Sequence, residues 1–197
     1  MTRSSMFTTA LLVAGALWEG ASLCQAQTHA SGATERALAA HKDIAKTHLK
    51  GALLEGYNQA LTQTSAAALA GADRIRADAD TVAQCQAVLE KTVPHMQQWT
   101  VQLRREYRRL QGENQALHAE YARLQNLPKW SQKYQLEAAY QRKLAPHIVA
   151  YRIYLAKSQA RKAMLIGMTF CARVIQKHDP QLGARWAGEI SRLQVAR

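Results

Sequence analysis

The sequence predicts an all-α protein, an elongated helical bundle built on an antiparallel coiled-coil hairpin. Three observations carry that reading. Alanine and glutamine are abundant, while the chain holds only ten glycines and four prolines, Pro94, Pro128, Pro146 and Pro180, so long stretches are free of helix breakers. Phe occurs twice and β-branched residues are few, which offers little to a sheet. Leucine recurs every seven residues through the middle of the chain, the period of a coiled-coil seam.

The N-terminal segment reads as an export signal. Arg3 and the amino terminus form a short positive region, and Met6 to Trp18 is uncharged and mostly apolar. That is the length of a signal peptide's hydrophobic region, and it is too short for the roughly 20 apolar residues a bilayer span needs. Glu19 ends it. Cys24 and Ala26 are small side chains placed for cleavage after Ala26; Gly20 and Ser22 make cleavage after Ser22 the alternative. Cys24 does not suit lipidation, because Leu23 precedes it and Ala21 lies three before, the reverse of the small and aliphatic residues required. Residues 1–26 are thus expected to be removed, leaving a periplasmic or secreted protein. Residues 27–33 are expected to form a flexible tail, and residues 34–197 a single helical domain.

Within that domain, Leu38, Ile44, Leu49, Leu53, Leu54, Tyr57 and Leu61 predict a helix from Thr34, weakened at Gly51 and Gly56. A break near residues 62–71 precedes a second helix from about Ser65 to Thr92, which Pro94 should interrupt or kink. Met96, Leu103, Leu110, Leu117 and Leu124 then fall every seven residues, with Tyr107, Asn114 and Tyr121 at the intervening seam positions. The polar Asn114 in such a seam fixes register at some cost in stability. Asn126, Leu127 and Pro128 predict a hairpin turn near residues 126–129. A further helix is expected from Trp130 to Lys177, kinked at Pro146. Asp179 and Pro180 read as an N-cap and first helical residue, opening a last helix that carries Leu182, Trp186, Ile190 and Leu193.

Loss of Cys24 with the signal would leave Cys85 and Cys171 as an even pair in an oxidising compartment. Pro128 lies 43 residues from each. In an antiparallel hairpin turned there, the two would come level, so a Cys85–Cys171 disulfide is expected near the hairpin base.

The net charge is +12, and all of it lies in residues 104–197, where eighteen basic residues face six acidic ones. Such asymmetry favours an anionic partner. Arg123, Lys129, Trp130, Lys133, Tyr140, Arg142 and Lys143 are the candidate partner-binding residues, since aromatic rings among cations can stack and pair with anionic groups. Trp130, Tyr140 and Tyr154 are expected to be exposed, and Tyr107, Tyr134 and Tyr151 to lie in the packed seam.

Other chemistries find no pattern. A basic DNA-reading region should directly precede a leucine zipper, but residues 75–100 are nearly free of Lys and Arg; no specific nucleic-acid recognition is expected. The seven histidines make no metal-ligand motif, and Asp73, Asp78 and Asp80 lack the glycine and distant glutamate of a calcium loop; they read as a solvated face or as partners for Arg74 and Arg76. No phosphate loop or nucleophile elbow occurs. No catalytic residue, metal or cofactor is expected. The chain therefore reads as a non-enzymatic exported interaction protein, an accessory or minor structural subunit of an envelope secretion or conjugation apparatus. A periplasmic holdase-type chaperone and a binder of an anionic polymer or membrane surface are the alternatives. Its expected partners are other envelope proteins, acidic surfaces, or anionic lipid or polymer, with helical seams able to support oligomerisation.

Overall fold

The structure, a computed structural model, describes residues 19–62, 67–127 and 130–195, with side chains placed over 28–62, 69–127 and 134–194. Among the described residues, six helices follow in order: α1 (Glu19–His48), α2 (Gly51–Thr62), α3 (Ala67–Arg74), α4 (Ala79–Gln125), α5 (Trp130–His178) and α6 (Pro180–Val195). The protein is all-α, with no strand among the described residues. None of these helices is long and apolar enough to cross a membrane. The hydrophobic region of the expected signal peptide lies outside the described residues.

Helix α5 is the spine, and each of the other five helices packs on it. It runs antiparallel to α4 along the length of both. Facing pairs mark the register: Thr100 with Arg161, Tyr107 with Tyr154, and Tyr121 with Tyr140. At the hairpin base, α1, α2, α3 and α6 surround the pair. Leu49, Tyr57, Val88, Leu89, Met96, Met164, Met168, Phe170, Val174 and Ile175 are enclosed there in one apolar core. Farther out the hairpin continues with a small apolar cluster of its own, Leu117, Leu124 and Tyr140.

Close approach explains how α2 seats on α5. A Cβ at Gly56 would stand 2.7 Å from the Phe170 ring, and one at Gly167 would stand 2.9 Å from Leu61. The two missing side chains let the helices interlock. The tight α5–α6 turn uses the same device: a Cβ at Gly183 would lie 2.4 Å from the Gln176 Cα. Asp179 caps α6 by accepting a hydrogen bond from the Leu182 amide at 2.9 Å, and Pro180 supplies the first helical residue, whose amide needs no partner.

Several expectations are corrected. Residues 27–33 are not a loose tail but part of α1. Gly32, Ser31 and Thr34 are weak helix formers, yet Ala33 is buried and the Thr34 hydroxyl donates to the Ala30 carbonyl at 3.1 Å, so packing overrides propensity. The helix expected from Thr34 to Leu61 breaks at Leu49 and Lys50, where Gly51 takes a positive φ of 52°, a conformation open to glycine at little cost. The helix expected from Ser65 to Thr92 breaks at residues 75–78. There Asp78 caps α4, accepting hydrogen bonds from the Thr81 amide at 2.9 Å and hydroxyl at 2.7 Å, so it has a capping role as well as solvent exposure. These bonds, the amide's first, hold its carboxyl below the usual aspartate range. Of the two outcomes expected at Pro94, interruption does not occur: α4 runs through Pro94, as α5 runs through Pro146.

Candidate functional site

The candidate site is the outer part of the α4–α5 hairpin. On α4, Leu103, Leu110, Leu117 and Leu124 are all buried, and Met96 continues the row into the base core. The opposing row on α5 is not aliphatic. Tyr140, His147, Tyr154 and Arg161 fall every seven residues, and Met168 and Ile175 extend the row to the core. Tyr140 and His147 are buried. This second heptad escaped the sequence reading because its outer members are polar or aromatic, although its spacing was visible.

Two lysine–glutamate ion pairs and a histidine–glutamate hydrogen bond join the two rows. Glu106, Glu113 and Glu120 on α4 are themselves seven apart. Lys157 donates to Glu106 at 3.0 Å, His147 Nδ1 to Glu113 at 3.2 Å and Lys143 to Glu120 at 2.9 Å. Arg109 also pairs with Glu113. The His147 hydrogen bond, aided by Arg109, holds the Glu113 carboxyl below the usual range. An open groove of about 590 Å³ runs beside this locked edge, lined by residues including Ala116, Leu117, Pro146 and Ala150.

The acidic groups of the basic half are thus turned inward or engaged locally. Glu106, Glu113 and Glu120 pair across the seam, Asp179 caps α6, and Glu189 pairs with Arg192 at 3.1 Å. Only Glu137 remains of the six. Arg105, Arg108, Arg123 and Arg142 are exposed, so the shaft shows a cationic surface to solvent.

The aromatic assignments reverse. Tyr140 packs in the seam against Tyr121, at a ring separation of 5.6 Å, and is not an exposed contact residue. Tyr154 is half-buried between Tyr107 and Tyr151. The rings expected in the seam reach solvent instead: Tyr134 is 79 % exposed, and Tyr107, Tyr121 and Tyr151 are each a little above 40 %. A two-helix seam covers a narrow stripe, and a tyrosine is long enough to leave it. Asn114 is half-buried at its seam position. On α5, Leu144, Ile148, Tyr151 and Leu155 follow at helical spacing along one flank; the first two are half-buried and the last two exposed. Tyr154 joins this row to Tyr107 of α4, stacking on Tyr107 and packing against Tyr151. Of the candidate partner-binding residues, Arg123, Arg142 and Lys143 are exposed, Lys143 within its pair to Glu120. The side chains of Lys129, Trp130 and Lys133 lie outside the described residues.

A second cluster sits in the base core. The Tyr57 hydroxyl and His41 Nε2 are hydrogen-bonded at 2.6 Å, and both side chains are fully enclosed. Tyr57 shares this core with Cys85 and Cys171, which are buried free thiols. Burial, reinforced by Cys85, pushes the Cys171 thiol well above its ordinary range. Among the described residues, no group of three or more His, Cys, Asp or Glu side chains could hold a metal ion. No protein-family model, curated protein or solved structure matches the chain.

Proposed function

We propose that this chain is a non-enzymatic, exported interaction protein of the cell envelope, an accessory or minor structural subunit of a secretion or conjugation apparatus. Its hairpin shaft docks an acidic amphipathic helix of a neighbouring subunit. The observation that carries this reading is the run of Ile148, Tyr151 and Leu155 along one flank of α5, the last two exposed, on a shaft whose surface also carries the exposed Arg105, Arg108, Arg123 and Arg142. A helix laid on a hairpin groove buries apolar residues at three- and four-residue spacing, and α5 presents that spacing. The surrounding charge selects the partner's sign and speeds encounter. The expected export signal supports an envelope location.

Site-specific photocrosslinking tests the reading. A benzophenone side chain at position 151, in the full chain in its producing cell, should capture one acidic envelope protein. Arg105→Glu with Arg108→Glu should weaken that capture several-fold. Capture of a second copy of this chain alone, or crosslinking to lipid alone, would reject the docking reading. Binding of the purified protein to anionic phospholipid vesicles that vanishes with added salt would favour the anionic-surface alternative instead.

A further inference from the structure

We propose that Cys85 and Cys171 form an intramolecular disulfide at the base of the hairpin, and that Tyr57 and Phe170 seal this bond from solution. The pairing was expected from chain symmetry about Pro128. The structure adds proximity, enclosure and a protecting layer. The two thiols lie in one apolar core on helices that pack together, and both side chains have no exposed surface. Tyr57 of α2 is fully enclosed in the same core. The Phe170 ring meets Tyr57 edge-on at 6.4 Å and fills the space left by Gly56. His41 of α1 fixes the Tyr57 hydroxyl from the far side. The first two helices therefore form a lid over the sulfur pair.

Enclosure sets the order of events. Oxidation requires a thiolate from one cysteine to attack the disulfide of an oxidant, such as oxidised glutathione or a protein dithiol oxidase. That attack releases one oxidant thiol and leaves a mixed disulfide. The second cysteine's thiolate then attacks the protein sulfur, forming the Cys85–Cys171 bond and releasing the second oxidant thiol. Two protons and two electrons leave the protein pair, and the oxidant is reduced to two thiols. Neither sulfur can meet an oxidant in the closed core, so the bond forms while the hairpin is closing and before α1 and α2 settle. Once covered, it is shielded from reductant by the same layer.

The proposal stands apart from the docking reading, since it concerns only the base core. Its test uses the full chain refolded in a mixture of reduced and oxidised glutathione, then alkylated in denaturant. The expected result is no alkylated cysteine at positions 85 and 171, a cross-linked peptide carrying both, and a pair mass about 2 Da below the reduced form. Alkylation of both Cys85 and Cys171 would overturn the disulfide. Sealing is read separately, by the rate at which dithiothreitol reduces the bond. That rate should rise more than about tenfold between native buffer and urea that unfolds the core. Equal rates in the two conditions would overturn the seal, and so would a Tyr57→Ala protein that remains helical and is reduced no faster than the parent.

Discussion

His41 is a base buried among apolar groups, and burial, with a smaller contribution from nearby His95, lowers its pKa from 6.5 to about 4. Its Nδ1 has no protein hydrogen-bond partner, so a charged ring would have an acceptor for only one of its two N–H donors. The unfolded chain takes up this proton near pH 6.5, while the folded chain resists it until about pH 4. Stability from this group is therefore complete above pH 6.5 and is lost as the pH falls towards 4. The loss amounts to on the order of 3 kcal/mol across that window. Urea unfolding at pH 7.5 and pH 4.5 checks it. His41→Gln cannot titrate, so the variant should lose less stability over the same interval by that amount. An identical pH dependence in both proteins would refute the assignment. Tyr57→Phe removes the hydroxyl that His41 holds, and should cost about 1–2 kcal/mol at neutral pH, because a buried polar nitrogen is left without its partner.

Helix ends and crossings set the next group of expectations. Gly183→Ala would push a methyl into the backbone of the preceding helix at Gln176. Since backbone cannot swing aside as a side chain can, the α5–α6 turn must open, and the loss should exceed about 2 kcal/mol; thermal melting followed by circular dichroism measures it. The outer hairpin responds differently, because only two helices form its seam. Leu117→Ala should lower local stability by about 2–4 kcal/mol. Native-state hydrogen exchange should show faster exchange around residues 110–150 and little change in the base core. Much of this was legible beforehand. The leucine row, the turn at Asn126 and the Asp179–Pro180 cap all follow from local chemistry, which acts within a few residues. The breaks at Leu49–Lys50 and residues 75–78 were harder to place, because the apolar pattern continues across them and packing decides where each helix stops. The exposure of Tyr107 and Tyr151 was misread for a related reason. Periodicity identifies a face, but how much of that face is covered depends on how many neighbours the fold supplies.

The whole molecule combines a thick base with a thinner shaft, and this shape depends on α4 and α5 passing through Pro94 and Pro146 unbroken. A proline removes one helical hydrogen bond and crowds the preceding turn. Packing along both sides of Pro146 holds α5 together: His147 reaches Glu113, and Lys143 reaches Glu120, on either side of it. The same pairs turn acidic groups towards the seam and leave arginines outside, so rod shape and cationic surface have a common origin. An unbroken α5 of 49 residues spans roughly 74 Å at 1.5 Å per residue. A compact chain of this size would have a radius of gyration of about 16 Å. Small-angle X-ray scattering of the monomer should therefore give a maximum dimension of at least about 75 Å and a radius of gyration above about 20 Å. A hairpin folded back at Pro146 would shorten the particle to near 50 Å. Glu113→Gln with Glu120→Gln removes the two contacts flanking that proline, and should move the scattering towards the shorter form. An unchanged profile would refute their part in keeping α5 unbroken.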